Sequence, residues 1–344
     1  MITLARELLS SSGIPRALRC VGVSLRDLAH KQGMLLDGED GNVTRFTSLS
    51  GLEERGGIAV TYLSSARYAD ELREGDDVAV VTRRELKSLL KAGNVALITE
   101  GHPHDVFYTA FMATVEQGHY ERLETFISPK AKIHPMAAIA ENVHIESGAA
   151  IGAGAVILPN SYVGESAVIK ANATVGGDGY ENAMIRGRRA LVSHAGGVWL
   201  SEGVHVGSST CIDKGLFGDF SFAGQGTTMD NLVQFAHSVR TGRNCSLTAC
   251  CELSGAVVLG DGVWLGPNVS VDQGLRLGDH CYVGTAATVK KNLAPYSMAY
   301  GSPARVMAHA CACRAKLEFE NGFAACANCG EKYRQDADGL IQRA

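Results

Sequence analysis

His237 lies in the run DNLVQFAHSV, two positions after Phe235. An imidazole that is neutral near pH 7 is well suited to take a proton from a nucleophile. Asp219 and Asp230 are near enough in sequence to fix its tautomer or to hold a polar substrate. A second chemistry belongs to the tail CACRAKLEFENGFAACANCG, where Cys311-x-Cys313 is followed after twelve residues by Cys326-x-x-Cys329. Two close thiol pairs flanking a short β-like stretch match a tetrahedral zinc site, structural because four thiolates leave no open position. Four free thiols is the alternative, disfavoured by the density of cysteine. Arg186, Arg188 and Arg189 could meet a diphosphate or form a solvated basic run.

These residues are positioned by a repeat of six. An aliphatic residue returns at every sixth position from Ile127 to Val175, again at Leu200, Val206 and Ile212, and then from Phe235 to Val289 with Thr241 in one slot. That period fits neither a helix nor alternating strands, but it fits a three-sided coil with one hexapeptide per side. Ordinary antiparallel strands would need hairpin turns that are absent. Glycines that directly follow the aliphatic residues, among them Gly152 and Gly207, are expected to supply φ > 0 at the corners. Three hexads make one turn, so Gly255 is expected directly above His237. His134 and His144 are expected on the solvent side.

The hexad pattern resembles the hexapeptide-repeat acyltransferases, whose left-handed parallel β-helices assemble as trimers. The likeness is strongest to the UDP-3-O-acylglucosamine N-acyltransferases of the lipid A pathway. Their pattern of Ile-Asp-Arg-Gly, Asp-Asn and Gln-x-Ala-His-x-Val appears as Ile212, Asp213, Lys214, Gly215, Asp230, Asn231, Gln234, Ala236, His237 and Val239. The resemblance implies that His237 is the general base as an amine attacks a thioester, with Asp213, Asp230, Asn231, Gln234 and Gly255 around the sugar. Gly177, Asp178, Gly179 and Tyr180 resemble the start of the family's substrate loop, which makes Asp178 a substrate residue and puts His194 where the family carries Gln. The stretch FTSLSGLEERGGIAVTYLSSARYADEL resembles the family's N-terminal domain and implies that Tyr62 and Tyr68 sandwich a uracil ring, with Ser65 replacing an Asn. The alternative is that both tyrosines are packing residues. Ala249 and Cys250 replace a small Gly pair beside the donor arm, and a second family histidine falls at Gly274. The GSPAR segment resembles the ending of acetyltransferases that use coenzyme A. Lys290, Lys291 and Arg305 are therefore expected to neutralise phosphates of coenzyme A or of a carrier protein's phosphopantetheine. The cysteine tail is similar to ribbons that end some sugar N-acetyltransferases.

Of the 344 residues 46% are hydrophobic and 20% charged, and the net charge of −4 gives no global pull towards nucleic acid or an anionic membrane. The N-terminus MITLARELLSSSGIPRALR is too polar for a secretory segment and no apolar run reaches membrane-spanning length, so a cytoplasmic protein is expected. Six scattered cysteines, Cys20, Cys211, Cys245, Cys250, Cys251 and Cys281, are expected to be small buried fillers. The fold expected is mainly β. An α+β uridine-nucleotide-binding-like domain (1–125) precedes a left-handed parallel β-helix (126–305) with an external loop at 176–197, and a zinc-ribbon-like tail (306–344) follows. In the first part a helix capped by Ser24, strands at 57–63, 77–82 and 95–99, and a helix at 104–117 are expected.

The function implied is N-acyl transfer from a 3-hydroxyacyl carrier protein or acyl coenzyme A to the amine of a UDP-linked amino sugar, by a homotrimer. An acetyl-coenzyme-A-dependent nucleotide-sugar N-acetyltransferase of surface polysaccharide synthesis competes with it. A γ-type carbonic anhydrase is disfavoured because His237 has no paired histidine at suitable spacing. A non-catalytic β-helix scaffold is the reading from another class.

Overall fold

A computed structural model describes residues 14–53, 56–336 and 339–344. Residues 1–13, on which the expectation of no secretory segment rests in part, lie outside the described residues. Among the described residues no helix is long and apolar enough to cross a membrane.

The N-terminal part is one sheet with two helices. Helix α1 (Leu25–Lys31) starts at Ser24, whose hydroxyl accepts from the Asp27 amide. Strands β1 (Leu35–Asp37), β2 (Val43–Phe46), β3 (Ile58–Leu63), β4 (Val78–Thr82) and β5 (Val95–Ile98) pair in the order β1-β5-β4-β3-β2, with only β1 antiparallel to its neighbour. β4 and β5 are buried along their whole length, which explains their unbroken apolar sequences. β1 and β2 are only three and four residues long, too short to show a period. Helix α2 (Pro103–Glu116) begins with Pro at its first position and packs Phe107 and Phe111 against Phe46.

From Phe126 onward the chain coils into the left-handed parallel β-helix expected of the hexads. Its first face carries Ile127, Ile145, Val163, Leu200, Ala223 and Thr241 in register. The second carries Ile133, Ile151, Ile169, Val206, Met229 and Leu247; the third carries Ile139, Ile157, Val175, Ile212, Phe235 and Leu253. From Ile145 on these side chains form one core with the small residues two positions before them, such as Ala149, Ala155 and Cys245. Each fully buried Val, Leu or Ile contributes about 1.5–3 kcal/mol. Thr241 is tolerated there because its hydroxyl accepts from the Gly224 amide and meets the Thr227 hydroxyl.

Three expectations about the coil need correction. Positive φ falls three residues after the inward position, as at Asn142, Ser238 and Cys250, and among the glycines that directly follow it only at Gly176 of the described coil, where the chain leaves the third face. Those glycines answer a different demand: a Cβ on Gly207 would stand 2.2 Å from the Asp230 carbonyl carbon on the next coil. His144 is 3% exposed, not on the solvent side. Its ring stacks between Phe126 and Tyr162 in a ladder that continues to Trp199, and its Nε2 lies 3.0 Å from Glu146. Two of the six scattered cysteines are also exposed, Cys211 because it precedes an inward residue and Cys250 because it turns a corner. His134 is exposed as expected.

Two insertions leave the coil at the same corner, between the third and first faces. One runs from Val175 to Leu200 and the other from Ile212 to Ala223, stretching six-residue steps to 25 and 11 positions. The sequence reading recognised the first and missed the second. The first leaves the coil as expected and forms a β-hairpin, Asn182–Ile185 against Arg188–Leu191. Ala183 and Val192 from it and Leu216 from the second insertion join the N-terminal core, and the Phe217 ring lies 5.0 Å from Phe111. The insertions are also tied to each other, Ala195 to Leu216 and Gly196 to Gly215.

Beyond the coil, Arg305–Ala310 turns back antiparallel on Ser297–Tyr300, which extends the second face. A small three-stranded sheet follows, Phe323–Ala325, Lys332–Gln335 and Ile341–Arg343.

Candidate active site

His237 sits at the corner from which both insertions leave, and the fold covers it: the residue is 8% exposed. The hairpin segment folds back over it. A Cβ on Gly179 would stand 3.1 Å from the His237 Cβ, and one on Gly255, in the next coil, 2.5 Å from Nε2. The imidazole is therefore flanked by two residues without side chains. Glu181 Oε2 is 3.8 Å from Nε2, and the buried Nδ1 has no hydrogen-bond partner.

His194, 3% exposed, presents its ring edge-to-face to His237 with centroids 5.4 Å apart. Burial pushes its pKa down to about 4, and His237 acts in the same direction. The hairpin segment thus brings His194 beside His237 from 43 positions earlier, a contact that sequence spacing does not show. Among the described residues, no group of three metal-ligating atoms includes either ring.

Next to the histidines lies a pair of carboxylates. Asp213 accepts from Gln234 Nε2 at 2.8 Å, and Asp178 bonds Lys214 Nζ at 2.7 Å. Burial, with the negative charge of Asp178 nearby, pushes the Asp213 pKa up to about 6, although the Gln234 bond opposes this. A cleft of about 1680 Å³ reaches His237 and Glu181 along the first face. Its walls include Trp199, Phe222, Arg240 and Arg276 from the coils and Phe46, Thr47 and Tyr108 from the N-terminal part.

Residues 142–177 match the model of the bacterial transferase hexapeptide (six repeats). The chain is similar to UDP-3-O-acylglucosamine N-acyltransferases. That of Caulobacter sp. (strain K31) is 42% identical over 110 residues, 32% of each chain. That of Methylobacterium sp. (strain 4-46) is 37% identical over 131 residues, so the match to these relatives spans about a third of their length. The enzyme of Campylobacter lari is 29% identical over 291 residues, 79% of this chain and 90% of its own. Among solved structures, a UDP-N-acetylglucosamine acyltransferase from Campylobacter jejuni aligns with a TM-score of 0.44 and 21% identity, over 52% of this chain and 75% of that one.

The positions singled out by likeness to UDP-3-O-acylglucosamine N-acyltransferases divide into two groups. Asp178, Asp213, Gln234, His237 and Gly255 gather at one corner. Asp230, Asn231, Ala249 and Cys250 sit one corner away, between the second and third faces. There Asp230 accepts from the Asn231 amide and Asn231 Oδ1 from the Ser208 amide, so Asp230 is no tautomer-fixing partner of His237 within the chain. Asp219 lines the cleft and accepts from the Phe217 amide. The carboxylate beside His237 is instead Glu181, which sequence reasoning missed; the signal available was an acid in a polar insertion leaving the same corner.

Tyr62 and Tyr68 are not an exposed ring pair. Tyr62 packs 5.0 Å from Phe107 and joins the core under helix α2, whereas Tyr68 packs against the separate cluster around Leu63 and Leu72 and lies under the Arg67 guanidinium. Neither lines the cleft. Ser65 only precedes the short helical turn Ala66–Glu71. Arg186 turns the tip of the hairpin, its amide bonded to Asp105, and Arg188 and Arg189 are exposed. Lys290 is paired with Asp272, Lys291 is exposed in the register column of His237, and Arg305 lies on the strand that extends the second face. Gly274 borders the cleft with φ +71°.

In the tail, the sulfur atoms of Cys311, Cys313, Cys326 and Cys329 all lie within 4.8 Å of one another. A zinc ion bonded to four thiolates at about 2.3 Å sets sulfurs roughly 3.8 Å apart, so the set fits that ion. The Tyr333 hydroxyl lies 3.1 Å from Cys311 Sγ and accepts from the Ala312 amide, bracing one ligand.

Proposed function

We propose that the chain is an N-acyltransferase that moves an acyl group from a thioester to the amine of a UDP-linked amino sugar, with His237 as general base. The observation that carries this reading is the setting of His237: a buried imidazole at the end of the cleft, its Nε2 beside side-chain-free Gly255 and within 3.8 Å of Glu181. An amine held there loses a proton to the ring as nitrogen bonds to the thioester carbonyl carbon; the carbon–sulfur bond then breaks and the thiol takes the proton back. Glu181 stabilises the imidazolium formed in between. Similarity to UDP-3-O-acylglucosamine N-acyltransferases supports the choice of acceptor.

Lys291 lies three coils along from His237 in the same register column, roughly 14 Å at the usual strand spacing of about 4.8 Å. We assign it to a donor phosphate, with the thioester arm running along the coils between the two residues. This serves coenzyme A and carrier-protein phosphopantetheine alike. The nucleotide is assigned to the N-terminal wall of the cleft at Phe46, Thr47 and Tyr108, since Tyr62 and Tyr68 lie off it. Zinc on the four tail cysteines and assembly as a homotrimer belong to the same proposal.

The test is to incubate the protein with a panel of UDP-amino sugars and both donor types and to follow thiol release. Release that requires both a sugar and a donor is the expected outcome. No release with any pair contradicts the reading and favours a scaffold.

A further inference from the structure

We propose that His102, His104 and Asp105 form a second metal site, for a borderline divalent cation such as zinc, which clamps the hairpin onto the start of helix α2. The site lies outside the acyl-transfer centre and stands independently of that reading.

Among the described residues two groups of three or more metal-ligating side chains come together, the tail cysteines and this one. His102 precedes the first turn of α2, Pro103 takes its first position, and His104 and Asp105 follow. The His102 side chain makes no capping hydrogen bond and faces Asp105 instead. Both imidazoles turn Nδ1 towards one carboxylate oxygen, Asp105 Oδ1, at 3.7 Å from His102 and 3.2 Å from His104. One ligand atom of each residue lies within 4.8 Å of the other two. Zinc bonded tetrahedrally to imidazole nitrogen and carboxylate oxygen at about 2.0–2.2 Å sets such atoms roughly 3.3–3.6 Å apart. The two nitrogen–oxygen spacings bracket that range. His102 is exposed, which leaves its ring room to turn and gives an ion a path from solvent.

Two of the three ligands are oriented before an ion arrives. The other carboxylate oxygen, Asp105 Oδ2, accepts from the Arg186 amide at 2.8 Å, which holds Oδ1 towards the rings as outer partners do at metal centres. His104 packs against Tyr62 and Tyr108, with centroids 5.5 and 4.8 Å away. The helix N-terminus opposes a cation through its partial positive charge, and the Asp105 carboxylate offsets this. Two imidazoles and one carboxylate suit zinc, cobalt(II) or nickel(II) better than magnesium or calcium, which take mostly oxygen. Asp105 thus serves the ion with one oxygen and the hairpin tip with the other. An ion that fixes this carboxylate also fixes the turn at Arg186, and with it the strand that begins beside Glu181.

The experiment titrates zinc chloride calorimetrically into full-length wild type, His104→Phe and Asp105→Asn. Phenylalanine keeps a ring against Tyr62 and Tyr108, and asparagine keeps an oxygen for the Arg186 amide, so both variants should melt close to wild type. Wild type is expected to bind one zinc per chain that either variant loses or holds at least about tenfold more weakly. The tail is the same in all three proteins and cancels from the comparison. Magnesium chloride should not compete for the site. Equal zinc stoichiometry and affinity in the three proteins would overturn it. The clamp is read by hydrogen exchange of the amides at 185–188, which zinc should slow several-fold in wild type and not in the variants. Zinc binding at this site without slower exchange there would overturn the clamp. Neither measurement uses turnover, so failure of the acyl-transfer reading leaves both outcomes readable.

Discussion

At the scale of single residues the site is two histidines, a glutamate and the absence of side chains at two glycines. His237 and Gly255 were legible in the sequence because a repeat of six fixes which residues stack. Glu181 and the contact of His194 with His237 were not, since both residues lie in an insertion whose path no period describes. The burial of this group has a consequence for stability. His194 has a folded pKa near 4, below the ordinary value of about 6.5, so its contribution is full above pH 6.5 and is lost as pH falls towards 4. Asp213 runs the other way: its pKa near 6 is above that of a free carboxyl, so its contribution is present at low pH and lost as pH rises through 6. Thermal melts between pH 4 and 6.5 should separate them. His194→Gln should flatten the acid-side loss, by at most about 3 kcal/mol at one pKa unit per 1.36 kcal/mol, and Asp213→Asn should remove the opposing trend. Melting curves of identical shape in all three proteins would show that neither group titrates as described.

At the scale of elements the coil does two jobs. Its three faces were readable because each inward aliphatic residue is repeated, while the αL corners were misplaced by two residues because sequence alone does not separate a glycine needed for φ from one needed for close approach. Gly207 tests the distinction. A Cβ there meets the backbone of Asp230, which cannot rotate away, so Gly207→Ala should cost about 1–3 kcal/mol in urea unfolding. A cost below about 0.5 kcal/mol would mean that the coils can part locally. The second job is to launch both insertions from one corner. Phe217, invisible to pattern reading because it sits in a short interruption of the repeat, carries helix α2 on that corner, packed against Phe107, Tyr108 and Phe111.

At the scale of the whole molecule, the N-terminal sheet roofs the cleft and the tail caps the second face. The tail shares a small core, Tyr296, Cys311, Leu317, Cys326 and Tyr333, with the end of the coil. Its metal is therefore expected to stabilise the tail and not to take part in acyl transfer. Protein purified without added zinc should contain one zinc per chain, and a chelator should expose four titratable thiols while turnover per folded chain is retained. Metal-free protein with a folded tail would refute the site. Tyr62 and Tyr68, which the resemblance implies sandwich a uracil ring, are half-buried and pack against different clusters on either side of β3, and neither lines the cleft within this chain.

The central claim is that His237 accepts the proton of the attacking amine. The direct measurement is kcat of His237→Gln beside wild type, with the UDP-amino sugar and thioester pair that the wild type turns over, after sugar binding to both has been confirmed by calorimetry. A fall of about 10²- to 10⁴-fold with sugar affinity preserved is the predicted result. Turnover within a few-fold of wild type would contradict it and remove His237 from the mechanism.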